Sequence, residues 1–600
     1  MIRYLYINEI KYKSVEKINE GYGNREYYRI ENIDKNKNFL IAFYPNEKDI
    51  NDFISISEIL KKNNINIPKY EKKGKSIMIL EDLGKEHFKS KDFPEIIDMI
   101  ISLQNIEYNK ERIPIYTQKL IYEEMIGFLN NFLLKFIGIN VSEEEEKFIL
   151  DFCTEISKKL FNSENKCFIH KDLNPSNILY NNNKFYLIDY QNALIGSCYY
   201  DLVSILFNER ELLTENQIYD GIKLYLQKSK YKNNFELEFS FCIFHRVLKN
   251  LGCFSELYTK YNDDILISYI QNILDMAIFM SEVKKLNLLK KILEKAKIKF
   301  NEKYNICLNK EKIYNININI NLIKILSNNN FFIITGTSSS RKTSMINECD
   351  FDVQISFDNL LREIIDEELK NYCPKEYEFI KKYLKKDIWY YARHYGIKDE
   401  PFMNKFLSSV PEEDKEHINK CISILKSNLL SSLEYRSKTW NKLINIIENQ
   451  IEKNNIILLD IAYLKENDYE RLKNITNKKD SYNPFIILNF IKLEDMTKVI
   501  KKRNLWALAK NESTEYRHII LNIYMYLEYY MSNDKSKTAD FIINEEQIKN
   551  IVKKISDIDP YANTYHWEKF RTIDALKEFN FPLNMKFPEF INLMNIVNME

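Results

Sequence analysis

Apolar and polar positions set a local plan between Cys167 and Leu206. The apolar run that opens it reads as a short strand and ends in His170-Lys171-Asp172. Asn177 stands five residues past Asp172. An Asn-rich turn follows, and a second apolar run, Phe185 to Ile188, delivers Asp189. The pattern predicts a hairpin whose acids sit at the ends of its apolar runs. Upstream, Glu26 to Ile30 alternates as a strand, and Asn38 to Tyr44 reads as another, closed by Pro45. Asp52 to Asn63 has helical periodicity, and Ser76 to Gly84 is an apolar strand running into an acidic turn. Helices are predicted over Ile96–Ile106 and Leu120–Phe136. Ser142 and Glu145 have the spacing of a capping box, so the acidic run Glu143 to Glu146 reads as a helix start that continues to about Phe161, not as a metal site. Asp201, beside another helix start, suits capping or loop bracing. Phe241 to Leu251 reads as a helix whose His245, Arg246 and Lys249 form a polar face or touch substrate.

The pattern changes after residue 285. The paired lysines at 284–285 and 290–291, with the apolar positions around them, predict an amphipathic helix ending a first domain. Tyr314 to Leu322 is low-complexity alternation, a short strand or a linker. The reading is therefore a domain over 1–300, with a small lobe to about 84 and a large lobe from 85, a linker over 301–329, and a second domain over 330–600. In the second domain Phe331 to Thr335 reads as a buried strand, followed by Gly336-Thr-Ser-Ser-Ser340-Arg341-Lys342-Thr343. This nearly matches a phosphate-cradling loop, with Lys342 to neutralise charge and Thr343 to reach magnesium, but Arg341 stands where glycine is expected. A Ser-rich turn capping a helix is the plainer reading. Asp352 to Phe357 is a strand candidate ending at Asp358, Ile456 to Asp460 a clearer one with a terminal carboxylate, and Phe485 to Phe490 a third. Leu425 to Gln450 is helical, and Arg503 and Arg517 lie where lid arginines or a solvated helix face both fit. Alternating strands and helices predict a parallel α/β sheet.

Composition narrows the class. The 600 residues are 45% hydrophobic and 14% aromatic, ample for large cores, and the net charge of +1 favours neither a nucleic-acid binder nor an acidic tail. Nine cysteines without paired spacing predict reduced thiols. The first residues carry charges where a signal peptide needs an apolar core, and Ile265 to Met280, broken by Asn272 and Asp275, reads as too short to span a bilayer. A cytoplasmic protein without membrane or nucleic-acid partners is expected.

The chemistry follows from spacing. Asp172, Asn177 and Asp189 form the phosphotransfer constellation of kinase-like folds: Asp172 as the base for the attacking hydroxyl, Asn177 and Asp189 as the magnesium ligands. His170 is a catalytic-loop residue expected to brace more than to move protons. Gly21 and Gly23, with Asn24 and Arg25, enter the Glu26 strand; their backbone suits either a cover over nucleotide phosphates or a plain hairpin turn. In a two-lobed kinase, Glu81 and Leu83 would lie where backbone groups can meet the adenine. Gly336, Ser340, Lys342 and Thr343 are the nucleotide-binding candidates of the second domain, Asp460 its metal candidate.

Residues 1 to about 300 resemble the aminoglycoside phosphotransferase/choline kinase superfamily, on His170, Asp172, Asn177 and Asp189. Within it they are similar to bacterial cell-wall sugar kinases that phosphorylate N-acetylmuramate and N-acetylglucosamine at the anomeric hydroxyl, on the stretches 24–30, 80–84, 188–204 and 246–254. The resemblance implies a two-lobed protein-kinase-like domain, ATP or GTP with Mg2+, and a small sugar or amino-sugar acceptor. Protein kinases hold the phosphates with a lysine on the third small-lobe strand; Phe39 to Pro45 has none, a departure the resembling sugar kinases share. Arg25 or Arg29 is left to neutralise them. Residues 330–600 are similar to chloramphenicol phosphotransferase-like proteins, which implies a P-loop three-layer α/β/α domain with Asp358 as a base. The expected activity is sugar phosphorylation by the first domain. The rivals are an aminoglycoside-type antibiotic kinase, disfavoured by the absence of an acidic cluster after Asp201, and a nucleotide-binding scaffold with a non-catalytic second domain.

Overall fold

The computed structural model describes residues 11–18, 25–32, 38–88, 93–107, 113–210, 212–304, 319–336, 346, 349–383, 406–431, 435–461, 466–477, 479–489 and 541–543. Two compact units divide the chain, Met1–Ser327 and Asn328–Glu600.

The first unit opens with a five-stranded antiparallel sheet in the order β1 (Tyr12–Ile18), β2 (Glu26–Asn32), β3 (Phe39–Phe43), β5 (Ile77–Glu81), β4 (Tyr70–Lys72). Sequence pattern misses β1 and β4. Both are edge strands and largely exposed, so burial imposes no clear alternation on them. Ile30 and Ile41 are fully buried on one face of this sheet. The helix Glu47–Lys62 crosses between β3 and β4, capped by the Asn46 side chain accepting from the Asp49 N–H at 2.9 Å.

The large lobe is mostly helical. The helix Gln118–Gly127 continues as a π-helical segment, Phe128–Ile137, and ends at Gly138 with φ 70°. The capping box forms as the spacing predicts: Glu145 N–H donates to Ser142 Oγ at 3.2 Å, and Ser142 N–H to Glu145 at 2.9 Å. The long helix Phe235–Tyr261 lies against Gln118–Gly127, the π segment, Glu143–Asn162 and Ile265–Val283. That contact with Gln118–Gly127 is close enough to demand glycine. A Cβ on Gly252 would come within 2.5 Å of the Gly127 backbone.

Two sequence expectations need correction. Ile265–Val283 runs 19 residues, long and apolar enough by length and composition to cross a membrane, so "too short" does not hold. In the fold its apolar face is buried, Asp275 pairs with Lys297 at 2.5 Å, and Asn272 donates to the Glu209 carbonyl at 2.9 Å. Part of the expected linker is also structured. The helix Asn287–Tyr304 passes residue 300, and Ile320–Ser327 forms a helix tied to the first unit: Asn319 N–H donates to the Glu215 carboxylate at 2.7 Å. All eight cysteines among the described residues are free thiols.

The second unit holds an all-parallel sheet in the order β11 (Val353–Ser356), β12 (Ile457–Asp460), β10 (Phe331–Thr335), β13 (Phe485–Asn489), β14 (Phe541–Ile543). β10, apolar throughout and buried at every position, is central, as expected of a strand covered on both faces. Phe331, Ile333, Leu443, Ile447, Ile457 and Leu459 share one core cluster. Asp358 does not end a strand, as the pattern suggested. β11 stops at Ser356, whose side chain caps the helix Phe357–Tyr372, and Asp358 is exposed in that helix's first turn.

Candidate functional site

The site is built where the hairpin meets the large-lobe helices. β6 (Lys166–Ile169) pairs with β9 (Leu194–Ser197), and β7 (Ile178–Asn181) with β8 (Lys184–Leu187). Between β6 and β7 the chain makes a loop that the buried Asp201 holds from below. The Asp201 carboxylate accepts the N–H groups of His170 at 2.7 Å and Lys171 at 3.1 Å. Burial pushes this carboxyl up to about 6, against the two N–H donors and the charge of Arg246, which favour the ionised form. The bracing lets Lys171 keep φ 73°, a backbone region costly for a residue with a Cβ.

His170 is 1% exposed, and both ring nitrogens face backbone. Nδ1 accepts the Asp172 N–H at 3.3 Å, and Nε2 donates to the Ile188 carbonyl at 2.9 Å. The ring therefore ties the Asp172 loop to the strand that delivers Asp189. These two contacts are those of a side chain that braces the loop.

Asp172 is half-buried. Its carbonyl accepts Asn177 Nδ2 at 2.8 Å, and its Oδ1 accepts Asn174 Nδ2 at 3.2 Å. Asn174 also accepts the Ser176 N–H at 3.0 Å, starting the short 3-10 turn that carries Asn177. Burial raises the Asp172 carboxyl, but the charges of Lys249, Arg246 and Arg210 outweigh it and hold the group below its ordinary value. Asp189 sits in the left-handed region, φ 59°, with Gln191 Nε2 donating to its Oδ1 at 2.9 Å and Arg25 Nη2 at 2.8 Å. Tyr190 beside it is fully buried under the helix Glu47–Lys62, stacked on Phe53 with centroids 5.0 Å apart and bonded to Ser57 at 2.8 Å. The small-lobe helix thus packs directly on the turn that carries Asp189.

A second group of charges lies next to the loop; His245, Arg246 and Lys249 stand out in the sequence as a polar helix face, but their partners Glu124 and Glu209 do not. Glu124 takes Lys171 Nζ at 2.8 Å, His245 Nε2 at 3.2 Å, the Tyr116 hydroxyl, and Lys249 Nζ at 3.9 Å. Burial alone would raise the Glu124 carboxyl; the His245 hydrogen bond and the two lysine charges hold it well below the carboxylate range. Arg246, 3% exposed, bonds Ser204 Oγ at 3.0 Å and pairs with the equally buried Glu209 at 3.1 Å. Apart from Tyr116–Glu124, these contacts join residues 37 to 125 positions apart, which spacing cannot reveal. Asn174 did leave a sign: an Asn before Pro-Ser-Asn is an ordinary cap pattern.

The other candidates fall as follows. Glu81 ends β5, and its side chain accepts the Lys69 N–H at 3.1 Å. Leu83 is buried, and its carbonyl accepts Asn181 Nδ2 at 2.9 Å. Arg25 reaches the Asp172–Asn177–Asp189 group, whereas Gly21, Gly23 and Asn24 lie outside the described residues. In the second unit Gly336 follows β10 with φ 141°, and Asp460 is in register with Ile334 of β10 and Ser356 of β11. Parallel strands put Gly336, Asp460 and the start of the Asp358 helix at the carboxyl ends of neighbouring strands. Ser340, Lys342, Thr343, Arg503 and Arg517 lie outside the described residues. Among the described residues no three His, Cys, Asp or Glu side chains gather as a metal cluster.

The antiparallel sheet, the hairpin with its two acids and one amide, and the helical lobe define a two-lobed, protein-kinase-like phosphotransferase fold. Residues 14–231 match the model of the APH phosphotransferase enzyme family, so the first unit carries a domain of that family. The N-acetylmuramate/N-acetylglucosamine kinase of Pseudomonas aeruginosa is 20% identical over 215 residues, 34% of this chain and 63% of that protein; the chain thus spans under two thirds of that relative. The choline kinase LicA of Streptococcus pneumoniae is similar at 14% identity, covering 46% of this chain and 96% of that one, with a TM-score of 0.34. An ADP-bound aminoglycoside phosphotransferase, APH(2'')-Ib, is similar at 13% identity, covering 45% and 95%, with a TM-score of 0.35.

Proposed function

We propose that the first unit is a kinase that transfers the γ-phosphoryl group of ATP (or GTP) to the anomeric hydroxyl of an N-acetylated amino sugar, in the cytosol. The observation that carries this reading is Asp172, kept ionised and held at both its carbonyl and its carboxylate beside Asn177 and Asp189. The sugar oxygen bonds to the γ-phosphorus, the bond to the departing nucleoside diphosphate breaks, and Asp172 takes the hydroxyl proton. The donors present fit magnesium: Asp189 offers a carboxylate, and Asn177, whose nitrogen serves Asp172, offers its amide oxygen. Magnesium held there would offset the charge of the phosphates. Glu81 and Leu83 would flank the adenine through backbone groups.

The acceptor follows from charge. The cations whose field reaches Asp172 are Lys249, Arg246 and Arg210, and Lys171 adjoins it. A polycationic aminoglycoside would meet repulsion there, whereas an N-acetylated sugar has lost its ammonium group. The relative whose name includes N-acetylglucosamine supports the same class.

For the second unit we propose a P-loop three-layer α/β/α domain that binds nucleotide, as a second kinase or a non-catalytic scaffold. The supporting observation is the turn at Gly336 on the carboxyl end of the central strand, where chain progress reverses direction across the sheet, with Asp460 alongside. Ligands of open α/β sheets bind at such switch points.

A phosphotransfer screen over N-acetylated amino sugars, aminoglycosides and small alcohols tests both readings with full-length protein. Asp172→Asn should lower sugar turnover about 10²–10⁴-fold while nucleotide affinity holds, and Asp460→Asn should leave sugar turnover unchanged. Near-wild-type turnover of Asp172→Asn on every accepted sugar sinks the assignment. Preferential phosphorylation of kanamycin would move the acceptor to antibiotics, and loss of all transfer in Asp460→Asn alone would make the second unit the main enzyme.

A further inference from the structure

Phosphoryl transfer needs a protein cation on the β- and γ-phosphates, and a lysine on the third small-lobe strand supplies it in protein kinases. β3 and the turn after it hold no lysine. Two arginines, Arg25 and Arg29, lie four apart along β2 and its lead-in, with Tyr27 between them, so all three share a face. Their surroundings differ. Arg29 is locked in a bidentate pair with Asp82, Nε to Oδ2 at 2.8 Å and Nη2 to Oδ1 at 3.1 Å, and also donates to the Gly84 carbonyl at 3.1 Å. It staples β2 to the turn after β5.

Arg25 reaches the other way. Its Nη2 lies 2.8 Å from Asp189 Oδ1, and its Nη1 is a long 3.4 Å from the Tyr27 hydroxyl. Antiparallel register pairs Glu26 with Phe43, so the next pair along is Arg25 with Tyr44. The guanidinium lies 5.9 Å from the Tyr44 ring centroid, within cation–π range. Tyr44 is 4% exposed, and its hydroxyl, beside that of Tyr27, has no hydrogen-bond partner of good geometry. A buried hydroxyl left without a partner is destabilising unless a ligand completes it.

We propose that Arg25, seated on the Tyr44 ring, is the protein cation for the β- and γ-phosphates, and that the Tyr44 hydroxyl donates to the same phosphates. The Arg25–Asp189 pair is the resting form of this contact. It keeps both charges partnered until nucleotide arrives, when the guanidinium turns to phosphate and leaves the carboxylate free for the metal it would hold. The inference rests on the kinase reading of the first unit.

Calorimetric titration of full-length protein with ATP, ADP and adenosine tests it. Arg25→Gln should weaken ATP and ADP roughly 10–100-fold, the range of a lost charged hydrogen bond, and leave adenosine affinity unchanged. Arg25→Lys should recover part of the loss, and Tyr44→Phe should show a smaller loss confined to ATP and ADP. Retained adenosine binding certifies the folded site. An unchanged ATP-to-adenosine affinity ratio in Arg25→Gln overturns the proposal, and if that variant does not fold, an unchanged ratio in both Arg25→Lys and Tyr44→Phe does so. Wild-type protein that binds no ATP removes the kinase reading and this inference together; wild type that binds ATP beside an Arg25→Gln variant with the same ratio removes the inference alone.

Discussion

Asp172 and Asp460 both stand just past or at the end of an apolar run, yet the two units treat them differently. Asp172 lies in a loop held by Asp201 from below, His170 from the side, and Asn174 and Asn177 at its own atoms. Asp460 is placed by strand register, between Ile334 and Ser356. The first arrangement fixes an acid through several contacts on its own atoms and on its loop. The second puts a carboxylate at the carboxyl end of an interior strand, the common place for a ligand of an α/β sheet, without specifying what it does there. An acid at the end of an apolar run is therefore only the start of a site; the bracing around it carries the functional information.

That difference predicts unequal sensitivity. The largest effect should come from breaking the buried support beneath the loop. Glu209→Leu leaves Arg246 charged and unpaired at 3% exposure, at a cost of about 3–5 kcal/mol. Thermal unfolding should show a large drop in Tm; a change within error would mean that the Arg246 pair does not support this lobe.

Gly252→Ala comes next. A Cβ 2.5 Å from the Gly127 backbone must push two helices apart, destabilising by about 1–3 kcal/mol. The same shift would move Glu124 away from His245 and Lys249, so the acceptor KM should rise more than the ATP KM. Equal changes in both would show that this crossing does not shape the acceptor side.

The smallest effect is pH-dependent. The folded Glu124 carboxyl titrates below its ordinary value of 4.5. Its contribution to stability is thus complete above that pH and is lost as pH falls through the folded value. Glu124→Gln should lower Tm at pH 7, and the gap from wild type should narrow as pH falls below about 4.5. A gap that is constant across pH would show that the carboxylate's charge is not what stabilises the cluster.

Much of the local design was legible in the chain. His170, Asp172, Asn177 and Asp189 stood out because a hairpin fixes their spacing within one short segment, and the Ser142–Glu145 capping box formed as written. Helix limits were underestimated where tertiary packing extends them, as in Phe235–Tyr261 against an expected core of Phe241–Leu251. β1 and β4 went unseen because edge strands with little burial carry weak alternation. The roles of Arg25 and Arg29 were equivalent in the sequence and became distinct only when Asp82 and Asp189 took one each.

The sequence by itself determined what short-range geometry controls: turns, caps, strand alternation, and the spacing of the Asp172–Asn177–Asp189 constellation. The tertiary structure alone decided the contacts between distant segments. It set Arg25 on Asp189, gathered Glu124, Lys171, His245 and Lys249 beside Asp172, and let two glycines 125 positions apart bring their helices together. The physical reason is that charge pairing and close packing depend on distance in space, and spacing along a chain reports that distance only within a helix turn, a strand pair or a hairpin.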